Sequence, residues 1–207
     1  MAEADLAVKA SRSPSQASLT PLMLNHAAWV THDVEATANF YTKVMGMELA
    51  STVYDDRVPS TGDEFPFFHI FFRMQDGSTI AFFEAPGIPA RPAVTHPAYD
   101  IFDHFAFQAG SCEEVDRWRD WLVENGVDVV GPVDHGDFVY SIYFHDPNGI
   151  RLELTAPIDP HWNQHTEQGY VDLALWCGTK KRAEAEGRDV AEALRTIIRE
   201  SREAGKA

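Results

Sequence analysis

Residues 141–157, SIYFHDPNGIRLELTAP, decide how this 207-residue chain folds. Apolar runs on both sides of the tetrapeptide DPNG (146–149) predict two antiparallel strands joined by a tight turn, because Pro and Gly suit turns and apolar residues suit strands. The second strand carries Glu153 between two leucines. A buried, ionised carboxylate is strongly destabilising unless it is paired or bound to a cation, so Glu153 is a candidate functional residue.

A similar pair of strands occurs in the first half of the chain. The apolar runs FFHIFFRM and STIAFFEA lie on either side of a turn that contains Asp76 and Gly77. Glu84 follows Asp76 by 8 positions, and Glu153 follows Asp146 by 7 positions. We therefore interpret Glu84 as the counterpart of Glu153, at an apolar strand position that also requires a partner for the carboxylate.

Each pair of strands is preceded by the same order of elements. The run LNHAAWV carries His26 in a predicted strand, and a predicted helix and strand follow it before a polar loop at 55–66. The run FDHFAFQ carries His104 and is also followed by a predicted helix and strand. This order predicts an α+β fold built from two βαβββ units, which we call the first and second repeats.

The repeats define one predicted domain over residues 21–157. The first repeat covers 22–86 and the second covers 101–157. Residues 87–100 between them contain several prolines and are predicted to be a linker, because Pro fits neither a helix interior nor a central strand.

Both ends of the chain lie outside this pattern. Residues 1–20 mix charges with Ser and Ala, lack the apolar core of a secretory signal, and are predicted to be a disordered tail. Residues 158–207 are predicted to be a C-terminal helical extension, with an amphipathic helix over 181–203.

The composition narrows the classes of partner. A net charge of -15 and a pI near 4.9 oppose binding to nucleic acid or to an anionic membrane surface. The two cysteines, Cys112 and Cys177, are too few for a disulfide framework and fit a reducing compartment. We therefore expect a cytoplasmic protein that acts on a small molecule.

The recurring histidines and glutamates predict a metal site. His26 and His104 lie in the first strand of each repeat, and Glu84 and Glu153 lie in the last strand. Neutral imidazole and carboxylate groups together bind Fe(II), Zn, Ni, Co or Mn. Two His and one carboxylate leave coordination positions open for a substrate, so the pattern indicates one catalytic divalent ion.

Residues 24–157 resemble the vicinal oxygen chelate superfamily, which includes glyoxalases, bleomycin resistance proteins and extradiol dioxygenases. The resemblance rests on LNHAAWVTHDVEATANFYTKVMGMEL, on FDHFAFQ and on SIYFHDPNGIRLELTAP. It implies two βαβββ units forming a cupped mixed sheet around one metal, with His26, His104 and Glu153 as the core ligands. Dimers are common in this superfamily, so the resemblance also implies a homodimer.

One branch, the extradiol dioxygenases that cleave catecholic rings, shares a short pattern with this chain. The matching residues are Val133, Asp134, His135, Ile142, Tyr143, Asp146, Pro147, Gly149 and Glu153. This resemblance favours Fe(II) as the metal. It implies that His135 and Tyr143 form hydrogen bonds with the iron-bound substrate and oxygen.

The glyoxalase-like isomerases and lyases are the alternative branch. In these enzymes two His and two carboxylates bind the metal, a set that Glu84 would complete. The reaction passes through a metal-bound enediolate, and a glutamate moves the proton.

The dioxygenases also carry an acid/base His where this chain has Ser78, and His69 is a candidate proton carrier in its place. Arg73 and Arg151 are candidates for holding an anionic substrate.

A metal-free, resistance-type binding protein is the third alternative. Relatives of that kind bind small molecules in clefts lined with aromatic residues, and 12% of this chain is aromatic. The matched pairs of His and Glu argue against this alternative.

Overall fold

The computed structural model describes residues 21–89 and 96–204. These residues fall into two compact units, 21–160 and 161–204. The predicted tail at 1–20 and the middle of the predicted linker lie outside the described residues.

The larger unit contains the two repeats. Its strands are β1 (His26–Val30), β2 (Glu48–Arg57), β3 (Glu64–Arg73), β4 (Thr79–Glu84), β5 (Phe105–Gln108), β6 (Val130–Asp134), β7 (Val139–His145) and β8 (Arg151–Pro157). Its helices are α1 (Val34–Asn39), continued by a π-helical turn (Phe40–Val44), α2 (Pro97–Phe102) and α3 (Cys112–Glu124). The smaller unit contains a short 3-10 turn (Trp162–Gln164), α4 (Thr166–Ala185) and α5 (Val190–Ala204).

Each repeat forms one four-stranded mixed sheet. The strand orders are β1-β4-β3-β2 and β5-β8-β7-β6. In both sheets the first strand of the repeat pairs in parallel with the last, and the other neighbours are antiparallel. The matching orders confirm the prediction of an α+β fold made of two βαβββ repeats.

Side-chain caps fix where the main helix of each repeat begins. The Asp33 side chain accepts a hydrogen bond from Ala36 N at 2.8 Å before α1. The Ser111 side chain accepts one from Glu114 N at 3.2 Å before α3. Both side chains satisfy an amide that the first helical turn leaves without an intrahelical partner, so each helix starts at a defined place behind its sheet.

One hydrophobic core joins the two repeats. Tyr41, Phe72 and Phe82 of the first repeat are fully buried in it, as are Leu122 and Leu152 of the second. The Tyr41 ring stacks on Phe72 with a centroid separation of 5.2 Å. The side of each sheet that faces this core is therefore mainly apolar, and the opposite side carries His26 in the first repeat and Glu153 in the second.

A buried hydrogen bond also links the repeats. The Tyr41 hydroxyl donates to Asp146 Oδ2 at 3.1 Å. Asp146 Oδ1 accepts from Asn148 N and Ile150 N, both at 2.8 Å, so the carboxylate organises the DPNG turn at the same time. Burial, and then the Asp146 charge, raise the pKa of Tyr41 well above its ordinary value, so its hydroxyl remains a donor at neutral pH.

We expect Tyr41→Phe to lower the free energy of unfolding by about 1–3 kcal/mol, because Asp146 would lose a buried partner. Urea unfolding followed by circular dichroism measures this. Tyr140→Phe is the matched control, since Tyr140 donates to the half-buried Asp116, and its loss of stability should be clearly smaller. Equal losses in the two variants would mean that the Tyr41 bond does not hold the repeats together.

Three sequence predictions of local structure are corrected. Strands β2 and β3 extend into the predicted loop at 55–66, and α2 occupies part of the predicted linker, beginning with Pro97, which suits a first helical turn. The extension forms two helices that contact each other, not one over 181–203. Gly187, with φ 63°, lies between α4 and α5, and this conformation ends α4.

None of the helices in the described residues is both long and apolar enough to cross a membrane.

Candidate metal centre

Strand register shows which side chains share a face with His26. In the first sheet Ala28, two residues after His26, lies opposite Ala81. In the second sheet Ala106, two residues after His104, lies opposite Glu153. Ala81 is therefore the counterpart of Glu153. We call the side of the first sheet that carries His26 and Ala81 the His26 face.

The structure does not bring Glu84 to the His26 face. Glu84 lies three residues after Ala81 and therefore points to the opposite side of β4. Its Oε1 accepts a hydrogen bond from Val34 N at 3.0 Å, in the first turn of α1. The spacing counted from Asp76 predicted that Glu84 matches Glu153. The equivalent turn positions are instead Gly77, four residues before Ala81, and Gly149, four residues before Glu153.

We expect Glu84→Ala to leave the metal content unchanged, because this carboxylate binds a helix end on the other face. The variant should lose on the order of 1 kcal/mol of stability, as removal of a capping carboxylate does. Metal per chain by elemental analysis and the midpoint of thermal unfolding are the measurements, and Glu84→Gln should recover most of the stability. Loss of bound metal in a folded Glu84→Ala protein would contradict this expectation and would identify Glu84 as a metal ligand.

Four of the predicted site residues come together in the second repeat. His104 Nε2 lies 2.6 Å from Glu153 Oε2. The Tyr143 hydroxyl donates to Glu153 Oε1 at 3.3 Å and lies 2.9 Å from His135 Nε2. Glu153 is only 5% exposed, so its charge is satisfied by these partners and not by bulk water.

Tyr143 is held in its protonated form. Burial, followed by the Glu153 charge, raises the pKa of Tyr143 above its ordinary value. At neutral pH its hydroxyl therefore donates a hydrogen bond. Together with the exposed His135, it forms a hydrogen-bonded path from solvent to the buried carboxylate.

Arg73 and Arg151, the two candidate anion-binding residues, are engaged differently. Arg73 forms an ion pair with Glu48 at an exposed position. The Arg151 guanidinium lies 4.5 Å from the centre of the Tyr143 ring, and its Nη1 donates to the Asp100 carbonyl at 3.2 Å. Among the described residues Arg151 has no carboxylate partner, so its positive charge is available beside Tyr143.

Both candidate metal-binding histidines are oriented by a hydrogen bond at Nδ1. His26 Nδ1 lies 2.7 Å from Asn25 Oδ1, and His104 Nδ1 lies 2.9 Å from the Phe102 carbonyl. Each oxygen can only accept, so Nδ1 of each ring carries a hydrogen. This leaves Nε2 of His26 available to a metal, whereas Nε2 of His104 already faces Glu153 Oε2 at 2.6 Å, a contact that requires a hydrogen or a metal ion between the two atoms. Sequence reasoning missed these orienting groups, although an Asn directly before His26 was a visible signal.

His69 lies on the His26 face within a group of aromatic rings. Its ring stacks on Phe83 with centroids 3.5 Å apart, contacts Phe71 at 4.0 Å, and lies 6.0 Å from the His26 ring. The residue is 8% exposed, and its Nε2 has no hydrogen-bond partner among the described residues. Burial, and then the nearby His26, lower the pKa of His69 to about 4.

The candidate ligands thus form two pairs and not one cluster. His26 lies near His69, and His104 is bonded to Glu153. Within the part of the chain that the structure describes, no group of three or more His, Cys, Asp or Glu side chains is close enough to hold a metal ion. His26 is therefore not within coordinating distance of the His104–Glu153 pair of the same chain.

A cavity next to His104 is large enough for a small organic molecule. Its volume is about 490 Å³, and Arg151 and the aromatic side chains of Trp29, Phe102 and Phe105 contribute to its lining. Ligand pockets typically have volumes of this order and combine apolar walls with a few polar groups.

Comparison with known proteins agrees with this fold. Metapyrocatechase from Pseudomonas sp. (strain CF600) is 28% identical over 146 residues, which cover 68% of this chain and 41% of that protein. The chain therefore spans less than half of that curated relative.

Two solved structures are similar to the chain at lower identity. A glyoxylase/bleomycin resistance protein/dioxygenase domain from Frankia sp. EAN1pec has a TM-score of 0.53 and 18% identity, covering 67% of this chain and 99% of that one. The fosfomycin resistance protein FosX from Listeria monocytogenes has a TM-score of 0.49 and 23% identity, covering 67% and 95%. Residues 23–154, which include nearly all of both repeats, match a family model, and this chain belongs to the Glyoxalase/Bleomycin resistance protein/Dioxygenase superfamily.

Proposed function

We propose that this protein is an extradiol-type dioxygenase whose Fe(II) ion is held by His26, His104 and Glu153. The observation that carries the proposal is the 2.6 Å approach of His104 Nε2 to the buried Glu153 carboxylate, because these two donor groups together suit a divalent ion. An oxygen acceptor at Nδ1 orients both His104 and His26. The choice of branch is supported by the sequence pattern around His135 and Tyr143 and by the similarity to metapyrocatechase.

The protein side chains have separate roles in this proposal. His26, His104 and Glu153 would hold Fe(II), which would supply the redox chemistry between a catecholic substrate and dioxygen. Tyr143 donates a hydrogen bond at the site, and His135 exchanges protons between Tyr143 and solvent. Arg151, beside Tyr143, favours an anionic substrate. Both oxygen atoms enter the ring-cleaved product, so no separate reductant is needed.

A second copy of the chain completes the proposed site. No three candidate ligands meet among the described residues of one chain. Large apolar side chains on the larger unit are also exposed, as expected for a surface that another protein covers. They include Leu22, Tyr54, Phe102 and Val130. In a symmetric homodimer, His26 of one copy would meet His104 and Glu153 of the other, which gives two sites.

Oxygen consumption tests the proposed activity. The protein is purified anaerobically, loaded with Fe(II), and mixed with a panel of catechols in an oxygen electrode. We expect one dioxygen consumed per catechol cleaved, together with a yellow ring-opened product. A His104→Ala protein treated in the same way is the control for reactions of unbound iron. Absence of uptake above that control across the panel would contradict the dioxygenase.

The isomerase or lyase alternative depended on Glu84 as a fourth ligand. Because Glu84 lies on the other side of its strand, the described geometry gives this alternative less support than the sequence did. Purified protein that contains Ni, Co or Zn and shows no oxygen uptake would favour the isomerase or lyase alternative.

A further inference from the structure

A cavity of about 490 Å³ adjoins the proposed metal site, and His104 and Arg151 both line it. Arg151 precedes Glu153 by two residues on β8, so the two side chains lie on the same face of the strand. The Tyr143 hydroxyl donates to Glu153, and the Arg151 guanidinium packs 4.5 Å from the centre of the Tyr143 ring. One aromatic side chain therefore separates the guanidinium from the carboxylate, a spacing that suits a substituent on a metal-bound ring.

Arg151 is oriented for an anionic group. Its Nη1 donates to the Asp100 carbonyl at 3.2 Å and its guanidinium packs on Tyr143, so two contacts fix its position. Its Nε is shielded from solvent, whereas Nη2 is not shielded and makes no hydrogen bond to a described residue. Nη2 is thus the nitrogen that can donate to a ligand carboxylate. Such a charge-assisted hydrogen bond is stronger than a neutral one.

Two carboxylates line the same cavity without being paired with Arg151. Asp100 lies in α2, and Asp103 directly follows this helix. Both residues are exposed, and neither carboxylate has a hydrogen bond or an ion pair with another residue in the ranges 21–89 and 96–204. These two groups would repel a substituent that carried only a negative charge. A substituent with both a carboxylate and an ammonium group matches charges of both signs.

Aromatic rings form another part of the cavity wall. Trp29 and Phe105 are half-buried, line the cavity and contact each other edge to face, with centroids 5.6 Å apart. Such rings favour apolar and aromatic groups. The cavity therefore combines an apolar wall with unpaired charges of both signs, which is the combination that the side chain of an aromatic amino acid requires.

We propose that the substrate is a catechol that carries an α-amino acid side chain. Arg151 binds its carboxylate, and Asp100 and Asp103 bind its ammonium group. The inference rests on the proposed function, because the catechol oxygens are assigned to the proposed metal site. It extends the role of Arg151 from favouring an anion to selecting one class of substrate.

Four catechols with the same two-carbon substituent but different charges test this assignment. Dihydroxyphenylalanine carries a carboxylate and an ammonium group, dihydroxyphenylpropionate only the carboxylate, dopamine only the ammonium group, and ethylcatechol neither. Their dissociation constants are measured by isothermal titration calorimetry with the Fe(II)-loaded, full-length protein under anaerobic conditions, where no turnover occurs. We expect dihydroxyphenylalanine to bind about 10-fold more tightly than dopamine, because a hydrogen bond to a charged group is strong. It should bind about 3-fold more tightly than dihydroxyphenylpropionate, because exposed ion pairs are weaker.

Substitutions assign each charge to its residue. Arg151→Gln should remove the preference for dihydroxyphenylalanine over dopamine, and Arg151→Lys, which keeps the charge, should restore part of it. Asp100→Asn combined with Asp103→Asn should remove the preference over dihydroxyphenylpropionate. Glu124→Gln combined with Asp128→Asn is the matched control and should keep both preferences, since it changes the charge equally at exposed positions outside the cavity. Ratios of dissociation constants are compared, so that a general effect on the metal site cancels.

The outcomes separate the substrate class from the proposed function. Equal binding of the four catechols, or preferences that persist in the Arg151 and aspartate variants, would reject the amino acid side chain. Tightest binding of dihydroxyphenylpropionate would reject it as well. In these cases oxygen uptake with any of the four catechols would still support the dioxygenase. Selective binding of dihydroxyphenylalanine without uptake for any of the four would reject the dioxygenase and support the assignment of the cavity.

Discussion

Replacing His104 with alanine should abolish metal retention and lower turnover by on the order of 10³-fold, because loss of the metal removes several kcal/mol of transition-state stabilisation. His104 Nε2 lies 2.6 Å from Glu153, whose carboxylate is buried, so the substitution also leaves that charge with fewer partners. Metal content after gel filtration and turnover under Fe(II)-loaded, anaerobically prepared conditions are the two measurements.

The control for His104→Ala is His32→Ala, which removes an exposed histidine from the same protein. Circular dichroism and the gel-filtration elution volume, compared with wild type, establish that both variants are folded. Equal metal content in His104→Ala and His32→Ala would show that His104 is not a metal ligand. The short contact with Glu153 would then be a structural ion pair.

A heterodimer in which one chain carries His26→Ala and its partner carries Glu153→Gln should have about half of the wild-type turnover. In this trans arrangement one of the two sites contains only native ligands. Two affinity tags allow the heterodimer to be purified before turnover is measured. Each parental homodimer should be inactive.

The cis arrangement is the matched control for this experiment. A double variant, His26→Ala with Glu153→Gln, paired with a wild-type chain should be inactive if every site combines both chains. Sites built within single chains reverse both expectations, since the cis heterodimer would then keep half of the activity and the trans heterodimer none. The pair of results therefore identifies which chains supply each site.

Much of the fold could be predicted because its signals are local in the sequence. The DPNG turn, the caps at Asp33 and Ser111, and the strand-forming runs each depend on neighbouring residues. Repetition of the same order then indicated two units. His135 and Tyr143 were implied by the resemblance to the extradiol dioxygenase pattern, and the DPNG turn then pairs Tyr143 with Glu153 across β7 and β8.

The position of Glu84 could not be derived from spacing alone. A misalignment by an odd number of residues moves a strand side chain to the other face. Counting from Asp76 selected Glu84, three residues beyond Ala81, and the pairing of Ala28 with Ala81 shows which residue matches Glu153. The same pairing reveals the neighbourhood of His69, which lies on a strand that is not adjacent to β1.

The assembly of the site is also invisible in the sequence. The repeated pattern places a His in the first strand of each repeat. It does not indicate whether the two repeats that share a metal site belong to one chain or to two. Within the described residues the two pairs of candidate ligands remain separate, and the contacts between repeats include the Tyr41–Asp146 hydrogen bond and the apolar core. Such an arrangement depends on packing between distant segments and between chains, which local patterns do not encode.

Anomalous X-ray diffraction at the iron absorption edge, from crystals grown with Fe(II) under anaerobic conditions, locates the metal relative to both copies of the chain. We expect one strong peak for each chain, within coordinating distance of His26 of one copy and of His104 and Glu153 of the other. An anomalous peak away from these residues, or full iron occupancy without His26 nearby, would contradict it.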